Sequence, residues 1–274
     1  MKFFKTSDGL KIAYREHGSG VPILCLSGLT RNSTDFDYMT PHINNARLIA
    51  MDYRGREQSD FDPNFENYSI EREGKDALEL LDHLGLYDVG IIGTSRGGLI
   101  GMGLAAAVPA RLRGLLMNDI GPVLEPDGLS AIMGFLGRRP KFKTYDEAAA
   151  ALPTITTGFV DVPPDRWQQE VRNRWEERAD GLHLRYDPKL RDAIEGADHS
   201  VAPDMWPFFD ALTDKPIALI RGENSDLLSR DTVTEMQKRR PDMIYVEAKN
   251  RAHIPYLDEP ESLDVINKFI KAIS

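Results

Sequence analysis

The chain has 274 residues, of which 41% are hydrophobic and 28% charged, enough for a substantial core in one large α/β domain or two small ones. A formal net charge of −9 and a pI near 5.2 speak against a nucleic-acid partner, which would require a basic face. One cysteine excludes an internal disulfide, and neither a Cys/His cluster of zinc spacing nor a His-Glu-x-x-His run is present, so no metal and no cofactor are expected.

The first nine residues hold no long apolar segment, which predicts no signal peptide and no membrane span, and hence a cytoplasmic chain. Asp8-Gly9 separates two short β-prone runs, residues 2–6 and 11–16, as in a hairpin. Residues 22–26 (Pro-Ile-Leu-Cys-Leu) form a continuous apolar run, the pattern of a strand covered on both faces. Cys25 is expected there as a buried structural thiol. The run ends in Ser27-Gly28-Leu29, and a helix is expected within residues 35–43. Residues 46–51 predict the next buried strand, which leads into the polar loop 52–60. Ser69 opens a helix with the apolar stripe Ala77, Leu78, Leu81 and Leu84, and Gly85 ends it.

The rest of the chain is organised around the stretch 89–98 (Val-Gly-Ile-Ile-Gly-Thr-Ser-Arg-Gly-Gly). An apolar strand runs into Gly93-x-Ser95-x-Gly97, and a helix-forming segment continues through Ala107. A sharp turn between strand and helix forces its central residue into a sparsely populated backbone conformation and brings the two elements very close. Glycine at 93 and 97 removes the β-carbons that would collide. The Ser95 hydroxyl is thereby lifted into a cleft at a helix N-terminus, whose free N–H groups favour developing negative charge.

Residues 112–117 predict another buried strand, ending at Asn118-Asp119. The alternation then breaks from residue 123 to 203, where the segments read as helical. Thr144-Tyr145-Asp146-Glu147 is a capping box for a helix over 145–152. A second helix begins at Pro163-Pro164-Asp165 and sets Trp167, Val171 and Trp175 on one face. The block predicts a lid, residues 123–203, inserted in a core made of residues 1–122 and 204–274. The sheet pattern resumes with a strand over 216–220, followed by Arg221-Gly222-Glu223-Asn224-Ser225-Asp226. A helix over 230–239, a last strand over 243–247, the loop 249–255 with His253, and a closing helix from Pro260 complete the chain. Strand–helix alternation implies a mostly parallel sheet with helices on both faces, and ligands in such sheets bind beyond the C-terminal strand ends. Leu29, Asp52, Ser95 and Asp119 all fall at such ends.

Serine becomes a competent nucleophile when a base removes its proton, and histidine, with an ordinary pKa near about 6.5, suits that work. Of the six histidines, His253 alone follows the last strand. His183 and His199 lie in the lid, within reach of a pocket, while His17, His42 and His83 read as hairpin, helix-end or surface residues. The Gly-x-Ser-x-Gly turn, with the acid and histidine downstream, resembles the nucleophile elbow of the α/β-hydrolases. The resemblance spans nearly the whole chain and is strongest at 27–29, 52–59, 93–98, 221–226 and 252–255.

It implies the α/β-hydrolase fold, with a mostly parallel eight-stranded sheet. It implies Ser95, Asp226 and His253 as a catalytic triad, with Asp119, where some members place the acid, as the alternative. It implies an oxyanion hole from the backbone N–H groups of Leu29 and Arg96, and a loop-bracing role for Asp52. The chain departs from the family pattern at Ser27 (usually histidine), at Glu57 (commonly glycine) and at Arg96, which could carry positive charge to the pocket or pair with a nearby carboxylate. The function implied is a serine hydrolase of a small carboxylic ester or lactone. Carbon–carbon hydrolysis of ring-fission diketones and a ligand-sensing protein that retains the triad are the alternatives. The partner is a small-molecule substrate, with no nucleic acid and no membrane, and homo-oligomers are left open.

Overall fold

A computed structural model describes residues 1–196 and 204–274. Strands β1 (Lys2–Lys5) and β2 (Lys11–His17) form the expected hairpin, with Gly9 at φ +97° in its turn. Strands β3 (Val21–Leu26) and β4 (Ala46–Met51) come next, and Cys25 in β3 is fully buried. The helix expected within 35–43 does not form. Two 3-10 turns, Ser33–Phe36 and Thr40–His42, stand there instead. Pro41 lies in the second turn, where its missing N–H and fixed φ break α-helical continuity.

Helix α1 (Ile70–His83) starts where Ser69 accepts a bond from Arg72 N–H and stops before Gly85 at φ +66°. Next come β5 (Val89–Thr94), α2 (Arg96–Ala107) and β6 (Leu112–Asn118). Then follow α3 (Pro126–Phe135), α4 (Tyr145–Ile155), α5 (Pro164–Arg174), the short hairpin β7 (Trp175–Arg178) and β8 (Gly181–Leu184), and α6 (Leu190–Glu195). The chain returns through α7 (Trp206–Asp210), β9 (Ile217–Gly222), α8 (Arg230–Arg239), β10 (Ile244–Ala248) and α9 (Pro260–Ile273).

Eight strands form one sheet in the order β1-β2-β4-β3-β5-β6-β9-β10. β1 and β2 pair antiparallel, β2 joins β4 antiparallel, and every pairing from β4 to β10 is parallel. One face packs on α1, α2, α7 and α8 through residues such as Leu80, Ile100, Phe209 and Met236. The other packs on α9 and the two 3-10 turns through Phe269, Ile266, Phe36 and Met39. Neighbouring β5 residues divide between the faces, Ile91 to the first and Ile92 to the second. Among the described residues no helix is long and apolar enough to cross a membrane.

The segment between β6 and α7 is less uniformly helical than the sequence pattern suggests. Trp167 and Val171 are buried in α5 with Ala148 and Leu152 of α4, but Trp175 leaves the helix and opens β7. Trp175 lies opposite Leu184 across the hairpin, an extended pairing that suits an aromatic residue. His199 lies outside the described residues. His183 pairs with Asp180 (2.7 Å) on the hairpin.

The elbow between β5 and α2 depends on two absent methyl groups. A Cβ on Gly97 would lie 2.1 Å from Leu26 O, and one on Gly93 2.5 Å from the Gly97 backbone. Gly103, further along α2, has nothing within 4 Å of that position. Gly97→Ala is therefore expected to lower the unfolding free energy by about 1–3 kcal/mol. Gly103→Ala should raise it by about 0.5–1 kcal/mol, because alanine loses less backbone freedom in a helix. Urea denaturation of both variants tests the contrast.

Candidate active site

Strands β5 and β6 end level with one another, beside β9, which runs two residues further. Thr94 pairs with Asn118, and Asn118 with Ile220. The next residue of each of the first two strands turns up into the cleft: Ser95 N–H donates to Asn118 O (3.0 Å) and Asp119 N–H to Ile220 O (2.7 Å). Ser95 stands at φ 50°, ψ −115°, and Asp119 at φ 53°. Both conformations are unfavourable for residues with a β-carbon and are held by the surrounding ladder.

His253 reaches the same edge from the loop after β10. Its Nε2 lies 3.0 Å from Ser95 Oγ, and its Nδ1 lies 2.7 Å from Asp119 Oδ2. Asp119 is fully buried. Its Oδ1 accepts the Gly222 N–H (2.7 Å), and its Oδ2 also accepts the Ser225 hydroxyl (2.6 Å). Together with His253 these donors fix the orientation of the carboxylate. A carboxylate facing Nδ1 selects the tautomer with the proton there and leaves Nε2 free to take the hydroxyl proton.

The expected acid, Asp226, is not at this site. It is exposed, and its carboxylate has no partner among the described residues. The reason lies in the tight turn after β9, where Ser225 N–H donates to Gly222 O. That turn presents Ser225 to the histidine's partner and carries Asp226 past it. The alternative acid, Asp119, is the residue in contact with His253.

Ser27-Gly28-Leu29 lies beside the elbow. A Cβ on Gly28 would sit 3.8 Å from Ser95 Cβ. Gly28 O accepts from Arg31 N–H (3.1 Å), and Leu29 O from Arg56 Nε (3.1 Å). Neither Leu29 N–H nor Arg96 N–H donates to any of the described residues. Arg96, in the first turn of α2, has no helical acceptor available to its N–H. The Arg96 side chain turns away from the cleft. It is buried, with Nε 2.5 Å from Glu73 Oε2 and Nη2 donating to Tyr68 O (2.9 Å). Of the two expectations for this guanidinium, pairing with a carboxylate is the one observed.

Asp52 braces the loop after β3. Its Oδ1 accepts Ser33 N–H (2.7 Å), and its carbonyl accepts the Ser59 hydroxyl (2.7 Å). Glu57 occupies the position where the family commonly has glycine and does adopt a positive φ of 47°. The inserted segment compensates: Glu57 N–H donates to Arg185 O (2.7 Å), and Arg185 Nη1 pairs with the Glu57 carboxylate (3.0 Å). The same segment contacts the loop at Asp187 N–H to Gly55 O (2.7 Å) and at Tyr68 OH to Asp187 (2.6 Å). A second attachment is Glu170 of α5, fully buried against Arg31 (3.1 Å), Tyr38 OH (2.9 Å) and Arg174 (2.8 Å). Burial would raise the pKa of Glu170, but Arg31, Arg174 and Tyr38 outweigh it and hold it at about 2.

The fold and the site together define a hydrolase of the α/β class. The sequence model of the Alpha/beta hydrolase family matches residues 23–263, and the chain belongs to that family. It is 33% identical over 271 residues to the 3-hydroxybutyrate-oligomer hydrolase of Cupriavidus necator, covering 94% of this chain and 92% of that protein. Identity to the 2-(acetamidomethylene)succinate hydrolase of Mesorhizobium japonicum is 24%, over 94% and 91% of the two chains. The crystal structure of an α/β hydrolase from Novosphingobium aromaticivorans matches with a TM-score of 0.90 and 36% identity, over 99% of this chain and 97% of that one. Hydrolysis is common to the named relatives.

Sequence reasoning missed Ser225, Arg56 and Glu73. The last two had a signal: Glu73 and Asp76 stand three apart on one face of α1, and Arg54 and Arg56 flank Gly55 in a single turn, so both pairs can meet.

Asp119→Asn should lower kcat by about 10⁴-fold, because the amide permits the wrong histidine tautomer, while Asp226→Asn should leave kcat within about twofold; steady-state kinetics of both variants checks this. Burial pushes the Asp52 carboxyl up to about 6, so from about pH 4 to about pH 6 the unfolded chain ionises while the folded one stays protonated. Folding thus loses up to about 3 kcal/mol of this group's contribution as pH rises through that window. Asp52→Asn, whose amide oxygen still accepts from Ser33, should gain stability over the wild type across the window, as read by denaturant melts at its two ends.

Proposed function

We propose that this chain is a serine hydrolase that cleaves a carboxylic ester of a short hydroxy acid through an acyl-enzyme on Ser95. The observation that carries the reading is the unbroken line of hydrogen bonds from buried Asp119 through His253 to Ser95. In this reading Nε2 of His253 takes the Ser95 proton as Oγ attacks the ester carbonyl. The developing oxyanion is met by the N–H groups of Leu29 and Arg96. His253 then gives its proton to the departing alcohol, and water, deprotonated by the same nitrogen, releases the acid. Asp119 stays ionised and stabilises the imidazolium.

The choice of substrate rests on the 33% identity to a 3-hydroxybutyrate-oligomer hydrolase along nearly the full length of both chains. It favours an open-chain hydroxy-acid ester over a lactone or a ring-fission diketone. Residues 123–203 act as the cap that selects the acyl and alcohol parts.

The test is a panel of the 3-hydroxybutyrate dimer and trimer, p-nitrophenyl acetate and butyrate, a lactone and a ring-fission diketone. A fluorophosphonate label, located by peptide mass, identifies the nucleophile. Ser95→Ala should lose at least about 1,000-fold in kcat on the preferred ester, and the label should reside on Ser95 in the wild type. Undiminished turnover by Ser95→Ala would remove the serine mechanism. Preference for the diketone over every ester would remove the ester assignment.

A further inference from the structure

Glu73 of α1 is wholly buried, and its two carboxylate oxygens go to two different arginines. Oε1 lies 2.7 Å from Arg56 Nη1, and Oε2 lies 2.5 Å from Arg96 Nε. Arg56 is wholly buried as well, and its Nε holds the carbonyl of Leu29 at 3.1 Å. Arg56 also donates to Arg54 O (2.7 Å) and lies over the rings of Tyr53 and Tyr68, 5.3 and 5.5 Å from their centroids. Arg96 is the residue directly after Ser95. One carboxylate therefore joins the two residues whose peptide N–H groups are proposed to bind the oxyanion, through Arg56 and Leu29's own carbonyl in one case and Arg96's own side chain in the other.

Two cations share one anion here. A buried Arg–Glu–Arg arrangement is seldom the most stabilising solution, because desolvation offsets most of its Coulomb energy. Its contribution is fixed geometry. Peptide donors lower a barrier only if they already point at the oxyanion, and a displacement of about 1 Å can cost about 100-fold in rate.

We infer that Glu73 is a positioning residue for the oxyanion hole, locking the Leu29 and Arg96 peptides into a single donor pair. The inference rests on the proposed serine mechanism. Asp76 provides an internal control. It lies one turn further along the same helix, is equally buried, and pairs with Arg54 at 2.6 Å, but it touches neither Arg56 nor Arg96 and reaches Leu29 only indirectly, through the Arg54 carbonyl to which Arg56 donates.

The test compares Glu73→Gln with Asp76→Asn in kcat and KM on a p-nitrophenyl ester, in melting temperature, and in inhibition by phenylboronic acid. The boronic acid forms a tetrahedral adduct on an activated serine and so reports the oxyanion hole. Glu73→Gln is expected to lower kcat by about 10- to 100-fold with KM changed less than about threefold, and to weaken boronate inhibition by a similar factor. Asp76→Asn is expected to lower the melting temperature while kcat and boronate inhibition stay within about twofold. The inference is overturned if Glu73→Gln keeps wild-type kcat and inhibition. It is equally overturned if both variants lose activity in the same proportion to lost stability.

If Glu73→Gln does not fold, the triple variant Arg56→Met, Glu73→Leu, Arg96→Met replaces the charges with apolar bulk. Restored folding with kcat and boronate affinity still depressed supports the inference, and restored kcat overturns it. Failure of the serine mechanism has a separate signature, the absence of boronate inhibition in the wild type itself.

Discussion

Everything at the site depends on β5 and β6 ending at one level beside the longer β9. The ladder Thr94–Asn118–Ile220 fixes that level, and the bonds from Ser95 N–H to Asn118 O and from Asp119 N–H to Ile220 O extend it one residue beyond the strands. Two residues with positive φ then rise from adjacent strands, side by side. The close packing of α2 against the sheet, possible only where Gly93 and Gly97 lack β-carbons, leaves the serine no other orientation. A slip of one residue in the β5–β6 pairing would separate hydroxyl and carboxylate by a strand repeat of about 3.3 Å.

The position of the acid shows how much a fold tolerates at such an edge. A carboxylate can approach the histidine from the end of β6 or from the end of β9, because parallel neighbours present their C-termini to the same space. In this chain the β9 loop still takes part. It donates the Gly222 N–H and the Ser225 hydroxyl to the carboxylate that β6 supplies. The two loops thus exchange roles, one giving the charge and the other its hydrogen bonds, and the imidazole meets the same chemistry.

The fold is legible in the sequence because its signals are local and repeated. Apolar runs at residues 22–26, 46–51, 89–94 and 112–117, the last three separated by helix-forming segments, leave few arrangements besides a parallel sheet. Ser95 and His253 are legible because each is singular in its context: one serine between the elbow glycines, one histidine after the last strand. The carboxylate that meets His253 is not, since Asp119 and Asp226 both follow strands and only the turns after β6 and β9 separate them. Helical spacing misplaces Trp175 because α5 ends at Arg174, and the switch from helix to extended chain there is set by pairing with β8, nine residues further on. The helix expected within 35–43 fails for a local reason, Pro41.

Charge explains the remaining design. Arg31 serves Asp35 and Glu170, Arg96 serves Glu73, Arg166 serves Asp258, and Arg185 serves Glu57. Arg31, Arg166 and Arg185 join loops after β3, β10 and β4 to the segment between β6 and α7, Arg96 joins α2 to α1, and none of these four is offered to a ligand as a free cation. An arginine next to the elbow serine suggests an acidic substrate when only its sequence position is known. Buried and paired with Glu73, the same residue instead stiffens the turn that holds Ser95. Buried ion pairs add little net stability, since desolvation consumes most of their attraction, but they tolerate few alternative geometries. Their concentration along the loops after β3 and β4 is best understood as selection for a rigid rim around Ser95, with the stability of the whole carried by the apolar layers on the two faces of the sheet.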